Sequence, residues 1–304
     1  MRVPSFFSDP RALRRVGLGL ASLVLAWIGS GTLAALGLTR RWTGPEPEPT
    51  PRDFEALRLV TRDGLAIGAF YAEPRDPRVA IVLVHGNGSS RSQLLDEARA
   101  LHDLGHAVLP ITVRAHGDSE GTRNDFGYGA RHDVIAAVET LERRAPGRPI
   151  VVLGISLGSA AALFAAEELG RRVAGYVLVG PYASLELATV RRTERYLPPL
   201  IDDVAFGALW VGGRLVLPEL DRIAPCEAAT RMPSDLPVLV IAGERDARAP
   251  VEDARCIART LTSARVVVLP GDHEEVSGSV GEPAGLSEIG PFLDHVARGS
   301  TLAE

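Results

Sequence analysis

The segment Val151-Val152-Leu153-Gly154-Ile155-Ser156-Leu157-Gly158-Ser159-Ala160-Ala161 constrains this chain more than any other. A short apolar run, the pattern of a buried strand, feeds directly into Gly-x-Ser-x-Gly and then into an Ala-rich helical stretch. So tight a strand-to-helix turn forces Ser156 into a strained backbone conformation. The chain tolerates it only if the positions two before and two after lack bulk, and Gly154 and Gly158 meet that demand. The serine hydroxyl then stands clear of the sheet, while the amide of Leu157, at a helix start, faces the same space. The motif alone also fits a glycine-punctuated turn with no chemistry, so its surroundings decide.

Those surroundings are regular. Apolar, β-branched runs at 78–84, 107–113, 174–179, 238–241 and 266–269 alternate with helix-period segments at 92–104, 130–144, 157–169, 251–261 and 286–298. Alternation of this kind predicts an α/β fold, a mostly parallel sheet with helices on both faces, whose ligand sites gather at the carboxyl ends of the strands. His85-Gly86-Asn87-Gly88 and Arg114-Ala115-His116-Gly117-Asp118-Ser119-Glu120-Gly121 each follow such a strand. Residues 55–60 and 65–71, joined through Arg62-Asp63-Gly64, read as an antiparallel hairpin at the sheet edge.

With these motifs, Gly243-Glu244-Arg245-Asp246 and Gly271-Asp272-His273, in this order and spacing, the chain resembles the α/β-hydrolase superfamily over residues 54–298. Its nearest likeness is to the membrane-anchored serine hydrolases of the Bem46/ABHD13 kind. The resemblance implies a triad in chain order serine, acid, histidine: Ser156 as nucleophile, Asp246 as acid and His273 as base. A serine hydroxyl is a poor nucleophile at neutral pH unless an imidazole takes its proton, and a carboxylate fixes that imidazole's tautomer. Glu244 is the rival acid, and a solvated loop residue is the plain alternative for His273. The resemblance also implies an oxyanion hole built from the amides of Asn87 and Leu157.

Other candidates carry less chemistry. His102 and His106 are four apart but lack a His-Glu-x-x-His pattern, so neither they nor other residues predict a metal. His116 reads as a structural hydrogen-bonding residue of its turn, and His132 and His295 as side chains of helices. The chain contains no lysine, which closes a P-loop reading, and no cofactor is expected. A net charge of −5 with scattered arginines gives no support to nucleic-acid binding. Cys226 and Cys256 could pair in an oxidising compartment or remain two buried thiols.

Residues 16–38 form an uncharged run of 23, about 35 Å as a helix and so long enough to span a bilayer. Arg11, Arg14 and Arg15 precede it and Arg40 and Arg41 follow, which favours an uncleaved anchor with the amino terminus inside and the domain on the exported side. The expected organisation is a basic tail at 1–15, an anchor at 16–38, a proline-rich linker at 39–53 and a hydrolase domain at 54–304. Gly44-Pro45-Glu46-Pro47-Glu48-Pro49-Thr50-Pro51 reads as an extended spacer with few contacts to the domain. A small helical cap is expected at about 182–232, where apolar, proline-broken sequence interrupts the alternation. Two functions stay open: a hydrolase of esters or thioesters with an apolar acyl group, working through an acyl-enzyme, or a membrane-tethered binding or scaffold protein without turnover.

Overall fold

The computed structural model describes residues 10–43 and 48–299. The apolar runs become strands β1 (Glu55–Val60), β2 (Ala66–Tyr71), β3 (Ala80–Val84), β4 (Ala107–Ile111), β5 (Ile150–Ile155), β6 (Gly175–Val179), β7 (Val238–Gly243) and β8 (Ala264–Leu269). They form one sheet in the order β1-β2-β4-β3-β5-β6-β7-β8. The hairpin β1–β2 is antiparallel and joins β4 antiparallel, while β4 through β8 run parallel.

The central strands are apolar without interruption because both of their faces are covered. On β3, Ala80, Val82 and Val84 point to one side of the sheet, and Ile81 and Leu83 to the other. The first face is covered by α3 (Arg131–Arg144) and α4 (Leu157–Leu169), with α8 (Val251–Ala258) beside them. The second is covered by α2 (Leu95–Asp103) and α10 (Pro283–Ala297). Three further helices lie between β6 and β7: α5 (Leu185–Tyr196), α6 (Ile201–Val216) and α7 (Pro225–Ala229). Cys226 of α7 is disulfide-bonded to Cys256 of α8, which resolves the two readings of the cysteines in favour of pairing.

The amino-terminal helix α1 (Pro10–Leu38) is long and apolar enough to cross a membrane by length and composition. Its carboxyl half packs against α6. A side chain at Gly31 would collide with the carbonyl of Ala208, and one at Gly212 with the backbone of Thr32, so the two helices touch backbone to backbone. Small residues permit that approach. Trp27 Nε1 donates to the Val204 carbonyl at 2.9 Å across the same interface. The rest of α1, including Leu18, Leu20, Leu23 and Leu25, is exposed.

The segment after α1 departs from the expected spacer. Gly44-Pro45-Glu46-Pro47 falls outside the described residues, but both flanks are docked on the domain. Trp42 donates its amide to the Ala115 carbonyl at 2.8 Å and accepts from the Gly117 amide at 3.1 Å. The Arg41 guanidinium reaches the carbonyls of Gly117, Ser119 and Gly121. Glu48 is buried, bonded to Arg91, Ser92 and Thr112. A carboxylate that finds a buried guanidinium overrides the tendency of flanking prolines to stay solvated.

The disulfide closes a sequence separation of 30 residues and ties the helices over the sheet to one of its flanking helices. On loop-closure entropy the Cys226→Ser variant should lose about 3–4 kcal/mol of unfolding free energy. Urea unfolding with and without reductant measures this; equal midpoints for oxidised and reduced protein would contradict it.

Candidate active site

Ser156 sits at the turn between β5 and α4 with φ +52° and ψ −109°, a conformation side chains rarely adopt. Its amide donates to the Val179 carbonyl of β6 at 2.8 Å, which fixes the turn to the neighbouring strand. A Cβ at Gly154 would collide with the backbone of Gly158 and Ser159, and one at Gly158 with the carbonyls of Val84 and His85. Both glycines of the motif are therefore required by contact. The Ser159 hydroxyl lies beneath, donating to the Gly154 carbonyl at 2.6 Å with the Val179 carbonyl at 3.1 Å.

His273 and Asp246 arrive from the ends of β8 and β7. His273 Nε2 lies 3.0 Å from Ser156 Oγ, and Nδ1 lies 2.6 Å from Asp246 Oδ2. With Nδ1–H donating to the carboxylate, Nε2 is left to accept the serine proton. The other oxygen, Oδ1, accepts the amides of Arg248 and Ala249, each at 2.8 Å. Burial would push the Asp246 carboxyl up, but the His273 hydrogen bond and these two amides outweigh it and hold it below the ordinary carboxylate range. Glu244, by contrast, is exposed and has no bond to the imidazole.

His273 is not a loop residue. It opens the short helix α9 (His273–Ser277), whose N-cap Asp272 accepts the amides of Glu274 and Glu275, while Glu275 accepts the amide of Asp272. The capping-box signature Asp-x-x-Glu was present in the sequence and would have found this helix. Gly180, at φ +55°, leaves room for the ring: a Cβ there would stand 3.2 Å from His273 Cε1.

The loop Gly86-Asn87-Gly88 passes beside the serine, since a Cβ at Gly86 would lie 3.6 Å from Ser156 Cβ. Leu157 is the first residue of α4. The Asn87 side chain accepts from Asn124 Nδ2 at 2.6 Å. Two histidines pin this loop. His85 Nδ1 pairs with the Gly86 carbonyl at 2.7 Å and its Nε2 accepts the Val113 amide at 3.1 Å. His116 Nδ1 pairs with the Arg114 carbonyl at 3.0 Å and its Nε2 accepts the Gly88 amide at 3.3 Å. Both roles need a neutral ring. Burial, followed by the neighbouring His116, pushes His85 down to about 3, and burial also lowers His116. The structural reading of His116 fits this geometry; the matching part played by His85 had no signal in the sequence beyond its motif.

The amino-terminal segment reaches the same loop. The Trp42 indole lies against Gly88, so close that a Cβ there would be 2.8 Å from the ring. Below it, Arg91 bonds both oxygens of Asp118 as well as Glu48 and Thr112.

Several known proteins resemble this chain in sequence. Residues 75–206 match the family described as serine aminopeptidase, S33, and residues 219–295 match the TAP-like protein family. An uncharacterized protein of Mycobacterium tuberculosis is 30% identical over 84% of this chain and 89% of its own length. Human monoglyceride lipase is 33% identical over 44% of this chain and 46% of the lipase. Protein Bem46 of Schizosaccharomyces pombe is 25% identical over 75% of this chain and 76% of that protein.

Two outcomes follow from the loop's packing. In 15N-resolved NMR spectra, His85 should keep one neutral tautomer, with Nδ1 protonated, from pH 8 to about 5; a titration near 6.5 would contradict it. A chain beginning at Pro51, which lacks Trp42 and Glu48, should lose most of the esterase turnover and melt at lower temperature than the full chain. Equal turnover and melting would restore the free-spacer reading. The fold, the family matches and the three relatives together place this chain in the α/β-hydrolase superfamily, related to Bem46.

Proposed function

We propose that this protein is a membrane-tethered serine hydrolase that cleaves an ester or thioester through an acyl-enzyme. The observation that carries the reading is the continuous hydrogen-bond chain from Ser156 Oγ through His273 to Asp246. In the first half-reaction Ser156 Oγ attacks the carbonyl carbon as His273 Nε2 takes its proton, and Asp246 stabilises the imidazolium. The amides of Leu157 and Asn87 would receive the developing negative oxygen, and fixed dipoles there cost no reorganisation. His273 then gives the proton to the departing alcohol or thiol. In the second half-reaction water, deprotonated by His273, attacks the acyl carbon and frees Ser156. No step needs a cofactor.

An apolar acyl group is supported by a cavity of about 370 Å³ between the end of α1, α5 and α6, lined mainly by apolar residues including Ala35, Leu38, Phe126, Leu209 and Trp210. That volume lies within the range of small-molecule sites. The name of the human relative, monoglyceride lipase, points to the same class. Anchoring is supported by the length and apolarity of α1. Placement of the domain on the exported side is supported by the larger amino-terminal arginine cluster and by the Cys226–Cys256 disulfide, which persists in oxidising compartments.

Ser156→Ala should lower turnover of a p-nitrophenyl ester by about three orders of magnitude or more and abolish labelling by a fluorophosphonate probe. Asp246→Asn should cost far more than Glu244→Gln. Absence of turnover and labelling in the wild type would leave the fold as a binding scaffold; retained activity in Ser156→Ala would remove the nucleophile.

A further inference from the structure

The end of α1 runs into a short strap, residues 39–42, whose bonds converge on the loop beside Ser156. Among the described residues three routes lead there. The Thr39 carbonyl accepts the Asn124 amide at 2.8 Å, and Asn124 Nδ2 donates to the Asn87 side chain at 2.6 Å. Trp42 pairs in parallel with His116, bonded to Ala115 and Gly117 on either side of it, and His116 Nε2 accepts the Gly88 amide at 3.3 Å. The third route is direct. The indole stands against Gly88, where a Cβ would lie 2.8 Å from Cε2 and Cζ2. The Arg41 guanidinium, on the carbonyls of Gly117, Ser119 and Gly121, fastens the strap to the turn that carries His116.

These contacts bear on one amide. A peptide unit is planar, so fixing its carbonyl fixes the direction of its N–H. The Gly86 carbonyl, in the same unit as the Asn87 N–H, pairs with His85 Nδ1 and accepts the Ser89 amide. The next unit is held at its other end, where the Gly88 N–H meets His116. We propose that Trp42 is a positioning residue for the oxyanion hole: by closing Gly88 against His116 it holds the Asn87 amide where the negative oxygen develops. This rests on the ester-hydrolase reading of the same site. A flat, rigid ring suits the role, because Gly88 at φ +77° presents bare backbone to it. Core burial does not account for the tryptophan, since Trp42 is 42% exposed. A correctly aimed amide acts most strongly once the carbonyl carbon becomes tetrahedral, so its loss is felt in the transition state more than in substrate binding. The end of α1 thereby becomes part of the frame of the oxyanion hole.

The test uses the full chain in detergent micelles with p-nitrophenyl butyrate. A misplacement of about 1 Å costs about a hundredfold, so Trp42→Ala should lower kcat by about ten- to a hundredfold with KM within about twofold. Trp42→Phe, which keeps a flat ring, should recover most of that loss, and Trp42→Leu, which keeps only apolar bulk, little of it. Affinity for a trifluoromethyl ketone that forms a tetrahedral adduct with Ser156 should fall by the same factor as kcat/KM. The pH midpoint of kcat/KM should stay where it is in the wild type, because Ser156, His273 and Asp246 hold one another by their own bonds. Melting temperature and circular dichroism of each variant report the fold. Unchanged kcat in Trp42→Ala, a loss confined to KM, or equal losses in the phenylalanine and leucine variants overturns the proposal. A kcat loss that only follows the fraction of folded protein, with inhibitor affinity unchanged, marks a structural role and also overturns it. If Trp42→Ala does not fold, the phenylalanine and leucine variants decide by the same criteria. Wild-type turnover separates the two levels. If it is present and Trp42→Ala matches it, the positioning inference alone fails; if it is absent, both readings fail.

Discussion

The backbone at Ser156 is held where a side-chain-bearing residue costs on the order of 1–3 kcal/mol, and the arrangement of the site follows from how that conformation is maintained. Neighbouring strands and helix over-determine it. The serine amide is taken by Val179 of β6, and the Ser159 hydroxyl lies under the turn against the Gly154 carbonyl. Gly158 lies against the carbonyls that end β3, so the serine turn and the start of the loop 85–88 are in direct contact. The distance between Ser156 and the loop is thus set by van der Waals contact of backbones, with no flexible connection between them.

The second constraint is charge buried beside that loop. Arg91 and Arg114 are both shielded from solvent, and each is satisfied by two carboxylates: Glu48 and Asp118 for the first, Asp63 and Asp133 for the second. A buried guanidinium paired with two carboxylates is restricted to the few geometries in which neither charge is stranded. The loop 112–121 carries Thr112, Arg114, His116 and Asp118 and is fixed by these pairs. Through His116 and the Val113 amide it then fixes the loop beside Ser156. Because Glu48 and Trp42 belong to the same network, the segment leading from α1 is part of the packing around the site.

The helices over the sheet serve a different end. α6 is paired to α1 by glycine contacts on one side, and α5 carries its arginines toward His273 on the other. Arg192 and Tyr196 line both an apolar cavity and a cationic pocket, and His273 lines the second.

Local demands were legible in the sequence because each is met within a few residues. A serine turn needs glycine two positions away on either side, a buried parallel strand needs an uninterrupted apolar run, and a span of 23 uncharged residues can be read without knowing its neighbours. Asp272-x-x-Glu275 was legible in the same way and marked the helix that presents His273. The tertiary structure decided what depends on partners remote in the chain. Asp246 and Glu244 are two residues apart on one turn, and only the position of His273 separates the buried carboxylate from the exposed one. Cys226 and Cys256 pair because α7 and α8 come together, which neither local pattern states. Glu48 leaves its proline-rich surroundings for Arg91, 43 residues away, and Trp27 meets Val204 across 177. Backbone strain and hydrophobic period act over one or two turns of chain, so sequence records them directly. Ion pairing, helix docking and the edges of a pocket arise from surfaces that exist only once the sheet has brought them together.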